Sequence, residues 1–175
     1  MKIMILSDSH SMTKQTLLNF INQHPADYYI HCGDIYMPYS PLEIDNFYNV
    51  RGNNYFADIP KDLTLTIDGL NFFICHGHLF HIDESMYDLE QYALNHKIDV
   101  VCFGHSHNPT CYKKENTLFI NPGSVTFPRG NYPHPTYCIF DTENHEVQFY
   151  DLKENQPCNP FEVKKKESFF KRFFK

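Results

Sequence analysis

The stretch VVCFGHSHNP, residues 100–109, contains the pattern on which the fold of this chain depends. Four apolar residues end at a glycine, and two histidines, His105 and His107, follow with one residue between them. A short apolar run bounded by a turn signal predicts a buried β-strand. Histidine is the commonest metal ligand in proteins. The stretch therefore predicts a buried strand that delivers two metal-binding side chains at its carboxyl end.

The same pattern occurs four more times along the chain. The runs KIMIL, YYIHC, FYNVR and NFFIC each lead into acidic, amide or imidazole side chains, and most of these have a glycine beside them. Ligands bind in open α/β sheets where the carboxyl ends of strands converge. A single such residue is usually a satisfied polar group or part of a turn, but five in succession predict one common site. The candidate ligands are Asp8, His10, Asp34, Asn53, His76, His105 and His107.

The order of predicted elements changes halfway along the chain. In the first half, strands alternate with helices predicted over Thr13 to Gln23 and Glu84 to His96. Residues 62–78 predict a hairpin that turns at Asp68-Gly69. After residue 104 the pattern is strands separated by turns. This order predicts a layered α/β architecture with a mixed sheet, or two sheets packed face to face.

Length and charge exclude several classes of protein. The 175 residues suit a single domain, and no apolar run approaches the roughly 18 residues of a membrane span. No secretory signal is evident, so we expect a cytoplasmic location. Residues 161–175 carry six basic and two acidic side chains, a net charge of +4, so residues 1–160 carry −10 of the formal charges that total −6 for the chain. So acidic a body argues against a stable nucleic-acid complex. The six scattered cysteines are expected to be buried thiols.

The predicted donor set indicates which ions it would bind. Carboxylate, imidazole and amide donors without thiolate suit Mn²⁺, Fe²⁺, Co²⁺ or Zn²⁺. Seven ligands are too many for one tetrahedral ion and match two ions that share a bridging carboxylate. Two metals about 3.5–4 Å apart clamp the attacking and leaving oxygens of a phosphoryl displacement. The residues therefore predict phosphoryl chemistry at a dinuclear centre.

Five short motifs in this order carry a family resemblance. They are D-x-H at 8–10, GD at 33–34, GN at 52–53, HGH at 76–78 and GHSH at 104–107. With them, the sequence resembles the calcineurin-like metallophosphoesterases. INPGS at 120–124 and PRG at 128–130 are similar to the small MJ0936/YfcE-type phosphodiesterase group. The resemblance covers residues 1–152, which we take as the metallophosphoesterase domain, and leaves 153–175 as a basic and aromatic C-terminal extension.

The resemblance implies a four-layer αββα sandwich of two mixed β-sheets flanked by helices. It implies that one metal ion is held by Asp8, His10, Asp34 and His107. It implies that the second is held by Asp34, Asn53, His76 and His105, so that Asp34 bridges the two. The ions are expected to be Mn²⁺, with Fe, Co, Ni or Zn as alternatives. The implied reaction is hydrolysis of a small phosphodiester, a nucleotide among them, by a metal-bridging hydroxide.

One position departs from the family pattern. Many members continue GN into a histidine that protonates the leaving oxygen, but this chain has Asn54, which cannot supply a proton. General acid catalysis is worth roughly 10²–10⁴-fold. His78 is a candidate helper, and its alternative role is to orient a metal ligand. Arg51 and Arg129 are candidates for contact with phosphate, with surface ion pairs as the alternative.

Other functions remain to be weighed against an enzyme. A catalytically weak protein could use this fold as a protein-interaction scaffold, as a retromer subunit similar to this family does. The seven intact ligands favour the enzyme. A nuclease or nucleotide pyrophosphohydrolase is a further alternative, but the acidic body offers no basic groove for a nuclease.

The C-terminal segment raises a separate question of partners. The pattern FFKRFF within 161–175 would form a basic amphipathic helix that could contact a membrane. We favour packing on the domain, or disorder, because so short a helix is marginal alone. The oligomeric state is open, with a homodimer as the expectation.

Overall fold

Two mixed β-sheets form the centre of the molecule. The computed structural model describes residues 1–35, 44–53 and 59–162. In chain order the strands are β1 (Lys2–Leu6), β2 (Tyr28–His31), β3 (Phe47–Asn49), β4 (Asp62–Ile67), β5 (Leu70–Cys75), β6 (Val100–Cys102), β7 (Thr110–Lys114), β8 (Thr117–Asn121), β9 (Thr136–Asp141), β10 (Glu146–Asp151) and β11 (Gln156–Cys158). The helices are α1 (Lys14–Gln23) and α2 (Tyr87–Asn95), and a 3₁₀ turn spans His78–Phe80.

The strand order places three adjacent parallel strands in each sheet. The first sheet runs β11-β10-β9-β1-β2-β3, and the second runs β4-β5-β6-β8-β7. Strands β1, β2 and β3 are mutually parallel, as are β5, β6 and β8. The remaining neighbours are antiparallel. The carboxyl ends of each parallel set therefore lie at one edge of its sheet, where loops can converge.

The central strands are apolar on both faces, which explains their continuous apolar runs. In β1, Ile3 and Ile5 pack between the sheets, whereas Met4 and Leu6 face the helical layer. The core between the sheets is crossed by Phe72 and Phe140, whose rings meet edge to face at 5.9 Å. The cysteines are all free thiols, and four of the six are buried, as expected.

The two helices cover the outer faces of the sheets. Leu17 and Ile21 of α1 pack on the first sheet, and Leu89 and Ala93 of α2 pack on the second. Thr13 caps α1 by accepting a hydrogen bond from the backbone amide of Thr16 at 3.2 Å. The layers are therefore helix, sheet, sheet and helix, and the predicted αββα sandwich is confirmed.

Two element boundaries differ from the sequence prediction. Helix α2 begins at Tyr87 and not at Glu84, because the residues before it form turns. Strand β11 was not predicted: it lies beyond residue 152 and pairs with β10 at the sheet edge. It is three residues long and contains Pro157, so it shows no alternating pattern to read. The hairpin predicted over 62–78 forms as β4 and β5, with its turn at Asp68 and Gly69.

Some predictions fall on residues outside the described ranges. Asn54 is one of them, and so is the amphipathic pattern from residue 163 onward. Within the described ranges, neither helix has the length and apolar character that crossing a membrane would require.

Candidate metal centre

The loops after five parallel strands meet at one edge of the sandwich. Two of the strands belong to the second sheet and three to the first, so the site spans both sheets. The structure brings all seven predicted ligands to this edge. Asp8 and His10 follow β1, Asp34 follows β2, Asn53 follows β3, His76 follows β5, and His105 and His107 follow β6.

Five of these seven residues have left-handed backbone conformations. Their φ angles are +53° at Asp8, +30° at His10, +55° at Asp34, +67° at His105 and +58° at His107. Residues with a side chain rarely adopt this region, and each such residue costs on the order of 1–3 kcal/mol. Strain gathered at one edge of the sheet is a mark of a functional site, because the fold tolerates it there to aim the side chains.

Neighbouring glycines make the room that this convergence needs. A Cβ atom on Gly52 would lie 1.8 Å from Asp34 Oδ1, and one on Gly104 would lie 2.0 Å from Ser7 Oγ. Both positions exclude any larger residue while the carboxylates keep their places. The glycines in the predicted GN and GH motifs thus serve close packing around the ligands.

The ligand atoms form two overlapping groups. One contains Asp8, His10 and His107, and the other contains Asp8, Asp34 and His76. In the first group, His107 Nε2 lies 3.1 Å from Asp8 Oδ1 and 3.1 Å from His10 Nε2. In the second, His76 Nε2 lies 3.6 Å from Asp34 Oδ2 and 3.9 Å from Asp8 Oδ1. Asp34 Oδ2 also lies 3.9 Å from His10 Nε2, so both carboxylates reach both groups.

Three histidines are fixed in a tautomer by the partner of one ring nitrogen. His107 Nδ1 lies 2.7 Å from the carbonyl oxygen of Phe127, and His76 Nδ1 lies 2.7 Å from that of Cys32. A carbonyl only accepts, so each Nδ1 carries the proton and donates it. In the neutral rings, both Nε2 atoms then present an unshared electron pair to the centre.

His105 is held the other way round. Its Nε2 donates to Asp83 Oδ2 at 2.7 Å, which leaves Nδ1 facing Asn53 Oδ1 at 3.1 Å. Asn53 Oδ1 also lies 2.9 Å from His76 Nε2. Sequence reasoning missed Asp83, because nothing in the stretch HIDES marks its aspartate as a partner of a histidine 22 residues away.

The arrangement fits divalent cations. Asp8 Oδ1 is fully buried and makes no hydrogen bond of acceptable geometry within the described residues, while Oδ2 accepts from Ser7 Oγ at 2.6 Å and from the His105 amide at 3.1 Å. An unsatisfied buried carboxylate oxygen is costly unless something positive meets it. It lies 3.1 Å from His107 Nε2 and 3.9 Å from His76 Nε2, and both of these nitrogens present an electron pair when their rings are neutral. This convergence of carboxylate and imidazole donors fits a divalent cation.

The comparisons with known proteins agree with this geometry. Residues 1–145 match the model of the calcineurin-like phosphoesterase superfamily domain. The chain belongs to this superfamily. It is 34% identical over 161 residues to the probable metallophosphoesterase YsnB of Bacillus subtilis, covering 89% of this chain and 94% of YsnB.

One further relative is similar to this phosphoesterase in sequence, and one solved structure is similar to it in fold. The chain is 30% identical to the phosphodiesterase MJ0936 of Methanocaldococcus jannaschii, covering 85% of this chain and 97% of MJ0936. A crystal structure from Streptococcus pneumoniae, described as a predicted phosphoesterase, superposes with a TM-score of 0.81 at 27% identity, over 87% of this chain and 90% of that one.

Electrostatics at the site of this phosphoesterase favour ionised Asp8. Burial raises the pKa of Asp8, but His107, His76 and the Ser7 hydroxyl more than offset this and lower it overall. Burial alone would lower the pKa of His107, but the Asp8 carboxylate and the Phe127 carbonyl raise this pKa overall. Burial lowers the pKa of His10. The carboxylate is therefore available as a metal ligand at neutral pH.

Buried polar residues of the phosphoesterase hold the ligand loops in place. Ser124 Oγ and Thr126 Oγ1 each donate to the backbone carbonyl of Asp8 at 2.8 Å, and Asn121 Nδ2 donates to that of Gly104 at 2.8 Å. His31 is fully buried behind the loop and burial lowers its pKa to about 3, so it is neutral. Asn121 and Ser124 therefore shape the loops, as the INPGS motif suggests.

The predicted catalytic residues have different outcomes. Asn54 lies outside the described residues. His78 has its ring 5.3 Å from that of His76, and its buried Nδ1 has no hydrogen-bond partner among the residues described. Burial, followed by the nearby His76 and His105, lowers the pKa of His78 to about 4, so it is uncharged at neutral pH. Arg129 is exposed, and its backbone amide donates to the carbonyl of His107 at 3.0 Å.

Proposed function

We propose that this phosphoesterase hydrolyses phosphodiester bonds in small substrates, nucleotides among them, with two divalent metal ions. The observation that carries the proposal is the buried Asp8 Oδ1, which makes no hydrogen bond among the described residues and lies within reach of the His107 and His76 rings. The similarity to MJ0936, a phosphodiesterase, supports the choice of a diester.

The seven ligands would divide between the two ions as the family resemblance implies. One ion would be held by Asp8, His10, Asp34 and His107. The other would be held by Asp34, Asn53, His76 and His105. When bound, the ions neutralise charge on the phosphoryl oxygens and lower the pKa of a bound water. Mn²⁺ suits this donor set, and Fe, Co, Ni or Zn would suit it as well.

The residues around the ligands would orient them and the substrate. The Phe127 and Cys32 carbonyls and the Asp83 carboxylate hold the histidine rings with the correct nitrogen facing inward. Such partners raise the affinity of a metal site by fixing ring direction before binding. Arg129, anchored by its backbone to His107, would bind a phosphate oxygen through its guanidinium group.

The proton supply favours substrates with good leaving groups. Asn54 cannot give a proton, and His78 is uncharged at neutral pH because its pKa is lowered to about 4. Neither predicted catalytic side chain therefore acts as a strong acid towards the leaving oxygen. A diester with a weakly basic leaving group needs that help least, so we expect diesters to be better substrates than alkyl monoesters.

The test is a substrate screen of the purified chain in Mn²⁺. We expect hydrolysis of bis-p-nitrophenyl phosphate, which releases weakly basic p-nitrophenolate, to exceed that of methyl phosphate, an alkyl monoester that must release an alkoxide. The cyclic 2′,3′-nucleotides and p-nitrophenyl phosphate complete the screen. Asp34→Asn should lose at least a hundredfold in kcat because it removes a ligand shared between the ions. Metal analysis should find two ions in the active protein. Two bound ions with no hydrolysis of any diester would overturn the proposal and favour the scaffold alternative.

Several sequence predictions stay predictions. They are the cytoplasmic location, the homodimer, the absence of a stable nucleic-acid complex, and the role of the C-terminal extension from residue 153.

A further inference from the structure

An exposed aromatic ring stands at the rim of the metal centre. The Phe127 side chain is 52% exposed, whereas most large apolar side chains of the described residues are buried in the core. Its ring centroid lies 5.3 Å from that of the predicted ligand His10, with the ring planes tilted by 50°. Aromatic pairs interact at centroid separations of about 4.5–7 Å. A group bound at His10 is therefore within reach of the exposed part of Phe127.

Hydrogen bonds hold the backbone segment that carries this ring against the metal centre. The Phe127 amide donates to Ser124 Oγ at 2.8 Å, and its carbonyl accepts from His107 Nδ1 at 2.7 Å. Two residues later the Arg129 amide donates to the His107 carbonyl at 3.0 Å. The backbone of this segment thus contacts His107 at two points, the ring Nδ1 and the carbonyl oxygen. The backbone that carries the exposed phenyl ring is therefore held beside a predicted metal ligand, and Arg129 follows two residues later in the chain.

The exposed position of this ring decides which groups it can contact. Exposing a phenylalanine forgoes the free energy of burying it, so the ring gains most when an apolar partner covers it. A ring beside a phosphate site is suited to stack on a flat aromatic group attached to that phosphate. Stacking of this kind is sequence-tolerant because every nucleobase has a π-face.

We propose that Phe127 is a specificity-determining residue that stacks on an aromatic group of the substrate, a nucleobase or an aryl ester, while the phosphate lies at the metal centre. The inference rests on the proposed function, since it needs phosphate to bind at the predicted ligands. It adds the substrate class: phosphodiesters that carry an aromatic ring close to phosphorus, in preference to those with alkyl groups alone.

The experiment compares two pairs of ligands by equilibrium binding to the Mn²⁺-loaded chain. Adenosine 5′-monophosphate and ribose 5-phosphate share a phosphorylated sugar and differ in the base. Phenyl phosphate and methyl phosphate form the corresponding aryl pair. We expect the aromatic member of at least one pair to bind about fivefold more tightly, the low end of measured base–aromatic stacking effects. The pair that shows the preference distinguishes a nucleobase from an aryl ester.

Three variants of Phe127 make the comparison specific. Phe127→Ala should abolish the preference by weakening the aromatic ligand alone, and Phe127→Leu should lose most of it. Phe127→Tyr should keep it because the π-face remains. Leu94→Ala is the matched control, since Leu94 is 55% exposed on α2 and its removal should leave the preference unchanged. All ligands are compared at saturating Mn²⁺, because removing the ring also removes its contact with the predicted ligand His10.

Two outcomes would overturn the inference. One is equal binding of aromatic and non-aromatic ligands by the unmodified chain. The other is a preference that survives in Phe127→Ala. Either result combined with diester hydrolysis would remove the inference and leave the proposed function standing. An intact preference without hydrolysis of any diester would remove the proposed function and leave Phe127 as a residue that binds aromatic groups.

Discussion

At the scale of single residues, the centre depends on where each proton is directed. Asp8 Oδ2 accepts hydrogen bonds from the Ser7 hydroxyl and the His105 amide, whereas Oδ1 accepts none from the described residues. His107 and His105 each donate a hydrogen bond from one ring nitrogen to a group outside the centre, the Phe127 carbonyl and the Asp83 carboxylate. When the rings are neutral, the inward atoms are therefore electron-pair donors at fixed positions. Fixing them in advance is what raises affinity for a cation over that of loosely held side chains.

Asp83 offers a test of this orientation. Replacing it in Asp83→Ala removes the acceptor of the His105 Nε2 proton and frees the ring to turn. We expect Mn²⁺ affinity, measured by isothermal titration, to fall about 10–100-fold, the range for loss of a partner behind a metal ligand. Asp83→Asn keeps an acceptor oxygen and should recover part of the loss. Asp88→Asn, at the start of α2, is the control. Unchanged affinity in Asp83→Ala would show that Asp83 does not position His105.

At the scale of secondary-structure elements, turns after strands carry both function and stability. The turn after β10 is organised by Asp151, which is buried. Its Oδ1 accepts from the backbone amides of Lys153 at 2.9 Å and Glu154 at 3.1 Å. Its Oδ2 accepts from Tyr132 Oη at 3.1 Å and lies 2.8 Å from His134 Nδ1. Asp151 thereby directs the chain back into edge strand β11.

This carboxylate makes stability depend on pH in a defined direction. Burial raises the pKa of Asp151, but the amides of Glu154 and Lys153, together with Tyr132 and His134, lower it overall below its usual 3.8. The stabilisation is therefore complete above the unfolded-state pKa and is lost as the pH falls through the lower folded-state pKa. We expect Asp151→Asn to lower the unfolding free energy at pH 7 by about 1–3 kcal/mol.

Urea unfolding at several pH values checks this expectation. The difference between Asp151→Asn and the unmodified chain should be present at pH 5 and shrink below about pH 4. The control is Glu143→Gln, an exposed carboxylate in the turn after β9. A difference that stayed constant down to pH 2 would contradict the assignment of the effect to the charge of Asp151.

At the scale of the whole molecule, the metal centre ties the two sheets together. Asp8, Asp34 and Asn53 come from loops of the first sheet, and His76, His105 and His107 from loops of the second. The core between the sheets holds them together through apolar packing such as Phe72 on Phe140. A cation bound across both sheets would add to this packing, because it binds only when the sheets are assembled.

Metal removal is therefore expected to destabilise the folded chain. A ligand at 100 times its dissociation constant stabilises the folded state by about 2.7 kcal/mol. We expect EDTA to lower the melting temperature measured by circular dichroism and excess Mn²⁺ to restore it. In Asp34→Asn the shift on adding Mn²⁺ should be much smaller. An equal shift in this variant would place the stabilising ion elsewhere.

The local sequence was sufficient to predict which side chains meet at this edge of the sandwich and which strands carry them. Apolar runs, glycines and donor residues lie within a few positions of one another, so strand ends such as residues 100–107 show their chemistry directly. The αββα layering followed from the order of the elements and from the family resemblance. Edge strand β11 escaped prediction because three residues that include Pro157 have no periodicity.

Only the tertiary structure decided which atoms face the centre. Asp83 meets His105 across 22 residues, and the Phe127 carbonyl meets His107 across 20. Neither pairing leaves a mark in the sequence, because a hydrogen bond between distant loops depends on how two sheets pack and not on neighbouring residue types. The sequence by itself therefore determined which side chains can bind metal and at which strand ends they stand. Packing of the sheets decided their tautomers, the open oxygen of Asp8 and the exposure of Phe127, because each of these depends on atoms brought together from distant parts of the chain.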